Sequence, residues 1–245
     1  MNVRKICLIS LLSLFSMVSF AAQKPDTIAT KHGKLIIHFV GHGSLYLNYK
    51  GQIIHIDPFS KVGDYASLPK ADLILITHSH YDHFDADACG KITKENTPIV
   101  FTEGCEKEGK IKGKTMTMKN GDKKELKGFS IEAVPAYNIA NKRPDGNPFH
   151  PKGEGNGYVL TIDGKRIYIA GDTENIPEMA DLKDIDIAFL PMNLPYTMTP
   201  EMVADAVQKF KPEIVYPYHF GDTDVTKLSE LLANTKTEVR IKDMK

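Results

Sequence analysis

The chain has 245 residues, 42% hydrophobic and 25% charged, which excludes a disordered or low-complexity protein and supplies enough apolar side chains for a core without covalent staples. Its 31 basic and 31 acidic residues cancel, so the formal net charge is zero and there is no electrostatic case for nucleic acid as a partner.

In chain order, the first segment is not part of the fold. Residues 1–21 open with Arg4 and Lys5, continue as an apolar run from Ile6 to Phe20, and close on small residues, with Ser19 and Ala21 placed for cleavage before Ala22. This is the pattern of a secretory signal peptide. The apolar run falls short of the roughly 20 residues that a spanning helix needs. The mature domain is therefore expected over residues 22–245, exported to the periplasm or secreted, with no transmembrane segment. Export leaves Cys89 and Cys105 in a compartment that permits a disulfide. Spacing alone does not decide between a bridge and two buried thiols.

The rest alternates strands and helices. "KLIIHFVGHGSLYLNY" and "QIIHIDPF" predict strands paired around a turn at Lys50–Gly51. "DLILITH" is a short continuous apolar run, as in a strand buried on both faces, and a helix follows over Asp85 to Ile92. "TPIVFTE" and "FSIEAVPAY" are further strands with a turn at Asn120–Gly121 between them. Residues 138–157 form one long Gly/Pro-rich loop, a length that in compact domains is usually functional or disordered. "YVLTIDGKRIYIAGD" predicts a hairpin turning at Asp163–Gly164, and "DIAFLPM" a buried strand. In "TPEMVADAVQKFKPE", Thr199 caps a helix, Pro200 suits its first turn, Pro212 stops it, and Met202, Val203, Ala206, Val207 and Phe210 form its apolar face. A strand "EIVYPYHF", a helix from Thr226 to Ala233 and a strand "EVRIK" close the chain.

The chemistry is concentrated in "THSHYDH". His78, His80, Asp82 and His83 fall within six residues directly after a buried strand. Imidazole and carboxylate are ligands for zinc, and also for iron or manganese, so one such cluster can serve two neighbouring metals. Asp172 and His219 also stand at strand ends and can converge on the same sheet edge, and His150 in the long loop can complete the set. His32, His38 and His55 read as surface or structural residues, and His42 as structural in preference to a supporting role. Gly104 to Ile111 nearly matches a phosphate-binding loop but lacks the final Ser/Thr, and Gly153 to Gly157 is followed by a strand where a phosphate site needs a helix.

"THSHYDH", "GDT" and the late "YHF" together resemble the metallo-β-lactamase superfamily, over about residues 34–245. "GHGSLYLNYKGQIIHIDPF" and "PYTMTPEMVADAV" are most similar to its branch with ascorbate-phosphate lactonase-like and N-acyl-phosphatidylethanolamine phospholipase-like members. The resemblance implies an αβ/βα four-layer sandwich of two mixed sheets with outer helices, its site at the strand edge between the sheets. It implies His78 and His80 on a first metal, Asp82, His83 and His219 on a second, and Asp172 between them. Many members place a third first-metal histidine where this chain has Asn138. His150, twelve residues on, is the expected replacement.

The activity implied is hydrolysis of a phosphodiester, lactone or other ester or amide bond in a small-molecule or lipid-like substrate. Two divalent cations, zinc first with manganese or iron as alternatives, would lower the pKa of a water toward about 7, with Asp82 orienting it. Tyr137, Asn138, Lys152 and Tyr196 are candidate substrate contacts. A non-catalytic metal-binding or partner-binding protein is the alternative. A di-iron redox enzyme fits less well, because His80 stands where that class has Glu.

Overall fold

The computed structural model describes residues 23–245. The signal peptide expected at residues 1–21 lies outside the described residues. Among the described residues no helix is long and apolar enough to cross a membrane.

Two seven-stranded sheets follow one another along the chain. The first contains β1 (Asp26–Ala29), β2 (Lys34–Gly41), β3 (Ser44–Tyr49), β4 (Gln52–Ile56), β5 (Leu73–Leu75), β6 (Pro98–Phe101) and β7 (Lys114–Thr117), paired in that order. The second contains β8 (Lys123–Leu126), β9 (Phe129–Ala136), β10 (Gly155–Ile162), β11 (Lys165–Ile169), β12 (Ile187–Pro191), β13 (Ile214–Tyr218) and β14 (Glu238–Val239), again paired in chain order. Each sheet begins as an antiparallel meander and turns parallel at its fourth strand, at β4–β5 and at β11–β12. Parallel neighbours need crossovers, and these carry the helices α1 (Ala86–Ile92), α2 (Glu103–Glu108), α3 (Pro200–Phe210) and α4 (Thr226–Leu231).

The pattern explains the layers. β2 alternates buried and half-buried residues, as a strand with one face on the core does. β5, β12 and β13 are buried throughout, because helices or loops cover their second face. Leu35, Ile37, Leu45, Leu47, Ile131 and Leu160 belong to the main core between the sheets. A smaller cluster of Ile74, Ile76, Ala88, Ile92, Ile99 and Cys105 seats α1 and α2 on the outside of the first sheet.

The α3 ends are as expected: Thr199 Oγ1 accepts the Met202 N–H at 3.2 Å and Pro200 occupies the first turn. Met202, expected on the apolar face, is only partly buried, and Ala204 is buried beside Val203. The "GHG" stretch is itself a turn, so "KLIIHFVGHGSLYLNY" makes two strands, β2 and β3. Cys89 and Cys105 are separate buried thiols.

Candidate metal centre

Sharp turns at strand ends aim the site. His42 lies between β2 and β3, Asp57 follows β4, and His219 follows β13. All three are non-glycine residues in the left-handed region, with φ of 53°, 43° and 47°. Such backbone costs about 1–3 kcal/mol per residue and persists where surrounding contacts hold it. Here the His219 N–H donates to the His42 carbonyl at 3.0 Å, Asp57 N–H donates to Leu75 O at 3.0 Å, and Ser44 Oγ donates to Asp57 O at 2.5 Å. His78, Asp172 and His219 stand just beyond the carboxyl ends of β5, β11 and β13, the edge at which open parallel sheets bind ligands.

The eight side chains at this edge form two groups. His78, His80, His150 and Asp172 place one ligand atom each within 4.8 Å of one another, and so do His42, Asp82, His83 and His219. Asp172 lies between the groups. Its Oδ2 is 3.2 Å from His150 Nε2, 3.9 Å from His78 Nε2 and 3.6 Å from His219 Nε2, and its Oδ1 is 3.5 Å from His83 Nε2. Asp82 Oδ2 is 3.0 Å from His42 Nε2 and 3.6 Å from His219 Nε2.

Three rings are oriented from behind. The Thr77 hydroxyl donates to Asp57 Oδ2 at 2.7 Å, so its lone pairs face His78 Nδ1 at 3.0 Å. Asp57 Oδ2 also accepts His83 Nδ1–H at 2.8 Å, and Oδ1 accepts the Thr77 N–H at 2.7 Å. Asn138 Oδ1 lies 2.7 Å from His150 Nδ1. With each Nδ1 occupied, Nε2 is turned inward. The Nε2 atoms of His78, His83, His150 and His219, and Asp172 Oδ1, are buried with no hydrogen-bond partner. Buried polar atoms are nearly always paired. Five unpaired polar atoms shared between two neighbouring groups are what divalent cations would satisfy, with the supporting contacts such ligands ordinarily have. The donor set therefore fits metal binding at these two groups.

The electrostatics agree. Burial pushes the His78 imidazole well down, reinforced by His83. Burial raises the carboxyls of Asp82 and Asp172, but the facing histidines outweigh it and hold both well below the usual range. Burial also opposes charge on His83, yet Asp172 and Asp57 raise it to about 9. That proton sits where a cation would replace it.

All seven residues expected as ligands, His78, His80, Asp82, His83, His150, Asp172 and His219, are brought together here. His42, read as structural, joins them, and Asp57 was missed. The only sequence signal for either is position, a polar residue at a strand end on the same edge.

The four candidate substrate contacts are held in different ways. Asn138 is buried behind His150, so it cannot face a ligand. Tyr137 Oη donates to Glu178 at 2.9 Å and Lys152 Nζ meets the same carboxylate at 2.6 Å. Tyr196 remains exposed, its ring edge-on to Phe149 at 5.0 Å. A cavity of about 310 Å³ opens beside the His78 group, lined in part by Ser79, His80, Glu103, Lys107, Phe149 and Asn156.

Residues 36–219 match the family model described as a β-lactamase superfamily domain. The chain belongs to the metallo-β-lactamase superfamily. Among its superfamily relatives, a metal-dependent hydrolase of Pelotomaculum thermopropionicum is 30% identical, covering 84% of this chain and 95% of that one. A candidate metal-dependent hydrolase of Parabacteroides distasonis, known from its crystal structure, is 48% identical with a TM-score of 0.85, covering 91% of this chain and 99% of that one. A metallo-hydrolase of Ignicoccus hospitalis shares the metallo-β-lactamase fold at 24% identity, with a TM-score of 0.70, covering 85% of this chain and 94% of that one.

Proposed function

We propose that this protein is an exported metal-dependent hydrolase that uses two divalent cations, zinc first, to cleave a phosphodiester, lactone or other ester or amide bond in a small-molecule or lipid-like substrate. The observation that carries this reading is the convergence of buried, unpartnered Nε2 atoms and Asp172 Oδ1 between two four-residue groups. His78, His80 and His150 would hold one ion, His83, His219 and Asp82 the other, and Asp172 both. Bound there, the cations would lower the pKa of water and stabilise charge developing on the substrate oxygen.

The chain's own residues do the rest. Asp82 stays ionised, so it acts as an acceptor that orients the attacking water, and His42 Nε2 at 3.0 Å holds its carboxylate in place. The cavity beside His78 and His80 admits a compact group, with Ser79 and Lys107 offering donors and Phe149 an apolar wall.

The test is metal analysis of the purified mature chain joined to a panel of phosphodiester, lactone, ester and amide substrates. The expected result is two metals per chain and turnover that a chelator abolishes. Less than one metal per chain after reconstitution, or turnover indifferent to chelation, overturns the reading. Export is supported by the sequence at residues 1–21. N-terminal sequencing of the exported protein should begin at residue 22, and a start at Met1 rules cleavage out.

A further inference from the structure

Two residues beyond Asp172, Glu174 is 1% exposed, and among the described residues no lysine or arginine forms an ion pair with it. Its carboxylate is instead spent on amides. Oε2 accepts the backbone N–H groups of Ile139 at 2.9 Å and Ala140 at 2.8 Å. Oε1 accepts Asn141 N–H at 2.6 Å and Asn138 Nδ2 at 3.2 Å. We infer that Glu174 is a positioning residue that sets the tautomer of His150 through Asn138.

The argument runs from donors and acceptors. Backbone N–H groups can only donate and already meet both Glu174 oxygens, so those oxygens act as acceptors and the Asn138 group facing Oε1 must be the NH₂. Its second hydrogen goes to the Tyr196 carbonyl at 2.9 Å, also an acceptor only. Both contacts therefore fix the amide the same way round, with Oδ1 toward His150. Oδ1 accepts the His150 backbone N–H at 2.8 Å and faces its Nδ1 at 2.7 Å. An amide oxygen cannot donate, so Nδ1 carries a hydrogen, and in the neutral ring the lone pair is on Nε2. That lone pair is aimed toward Asp172, 3.2 Å away, and into the first metal group.

The same contacts join the long loop to the "GDT" segment. Tyr137 N–H donates to Thr173 Oγ1 at 3.1 Å, Glu174 N–H donates to Tyr137 O at 3.0 Å, and Asn138 N–H donates to His150 O at 2.9 Å. Asp172 thus stands within the candidate ligand group while Glu174, with Thr173 between them, governs a residue twelve positions past Asn138.

The metal consequence rests on the two-metal reading above, but the tautomer does not, and the test separates them. Nitrogen-15 NMR of the metal-free full-length mature chain at mildly alkaline pH reports which His150 nitrogen carries hydrogen. The wild type should show the proton on Nδ1, and Glu174→Gln, which can offer its own amide hydrogens to Asn138, should show a mixture. A wild-type proton on Nε2, or an unchanged tautomer in the variant, overturns the inference. Cadmium-113 NMR and metal titration give the second readout. Glu174→Gln and Asn138→Leu should weaken one of two sites about 10–100-fold, the range for loss of a ligand's supporting contact, while the other site keeps its affinity. Equal weakening of both sites would indicate a general folding defect and refute the positioning role. A wild type without two cadmium signals would count against the two-metal reading alone.

Discussion

Asp57 offers the sharpest perturbation of this centre. Its side chain is fully buried, and its two oxygens accept three hydrogen bonds of 2.7–2.8 Å, from Thr77 N–H, Thr77 Oγ1–H and His83 Nδ1–H. Asp57→Ala leaves those donors in a space that water does not reach. Removing one partner of a buried ionic pair costs about 3–5 kcal/mol, and hydrogen bonds to charged groups contribute about 1.5–3 kcal/mol each. The contributions overlap, because the Thr77 hydroxyl can turn to a new acceptor, so about 3–5 kcal/mol of lost stability is the expected total. Against a domain stability of about 5–15 kcal/mol this is a large fraction. Freed of Asp57, the His83 ring can rotate, and metal affinity should fall about 10–100-fold. Urea denaturation of the metal-free protein reads the first effect, and metal content by mass spectrometry reads the second. A variant within about 1 kcal/mol of wild type, near the net value of one ordinary hydrogen bond, that also retained two metals would refute the account of Asp57 as the support for His83 and Thr77.

Other substitutions test separate parts of the fold. At Gly43 an added Cβ would lie 2.9 Å from His83 Cε1 and 3.6 Å from His219 Cδ2. Gly43→Ala should therefore cost about 1–3 kcal/mol by overpacking and weaken the His83–His219 metal group more than the His78–His80 group in a cadmium titration; equal affinity at both would contradict the packing argument. Tyr158, fully buried, donates its hydroxyl to Ile76 O at 2.8 Å just ahead of the histidine motif, so Tyr158→Phe should lower stability by about 1–2 kcal/mol in urea. Burial lowers His55 to about 4, although its contact with Pro69 O raises it. Because that folded value lies below the unfolded 6.5, the stability tied to neutral His55 is complete above pH 6.5 and is lost as pH falls through 4. The fall from 6.5 to about 4 corresponds to about 3 kcal/mol. Metal-free His55→Gln, which does not titrate, should lose about 3 kcal/mol less than wild type between those pH values, and parallel pH profiles would show His55 to be uninvolved.

The sequence carried the metal cluster because four of its members fall within six residues, and Asp172 and His219 because each follows an apolar run. His150 was within reach because it is the remaining histidine of its region. His42, Asp57 and Glu174 were not, because their roles depend on which strand ends share an edge and on which amide hydrogens face which oxygens. The same limit applies to the elements. β7 and β8, "KTMT" and "KKEL", are short and largely exposed edge strands, so they carry little apolar alternation. The glycine and lysine of α2 imitate a phosphate loop and mask its helical signal, although Thr102 caps it and left-handed Gly109 ends it.

The order of the strands has a consequence for how the enzyme could be taken apart. Residues 26–117 build one sheet and residues 123–239 build the other, joined through a turn at Asn120–Gly121, where Gly121 has φ of 94°. The first segment brings His42, Asp57, His78, His80, Asp82 and His83; the second brings His150, Asp172 and His219. Neither piece owns a complete ligand group, and Asp172 reaches across the seam to His78 and His83. A chain cut in that turn would therefore become two polypeptides that recognise each other through the apolar faces of their sheets and are locked together by ions held jointly. Divalent metal would then act as an assembly switch, and hydrolysis would report whether the two pieces had met.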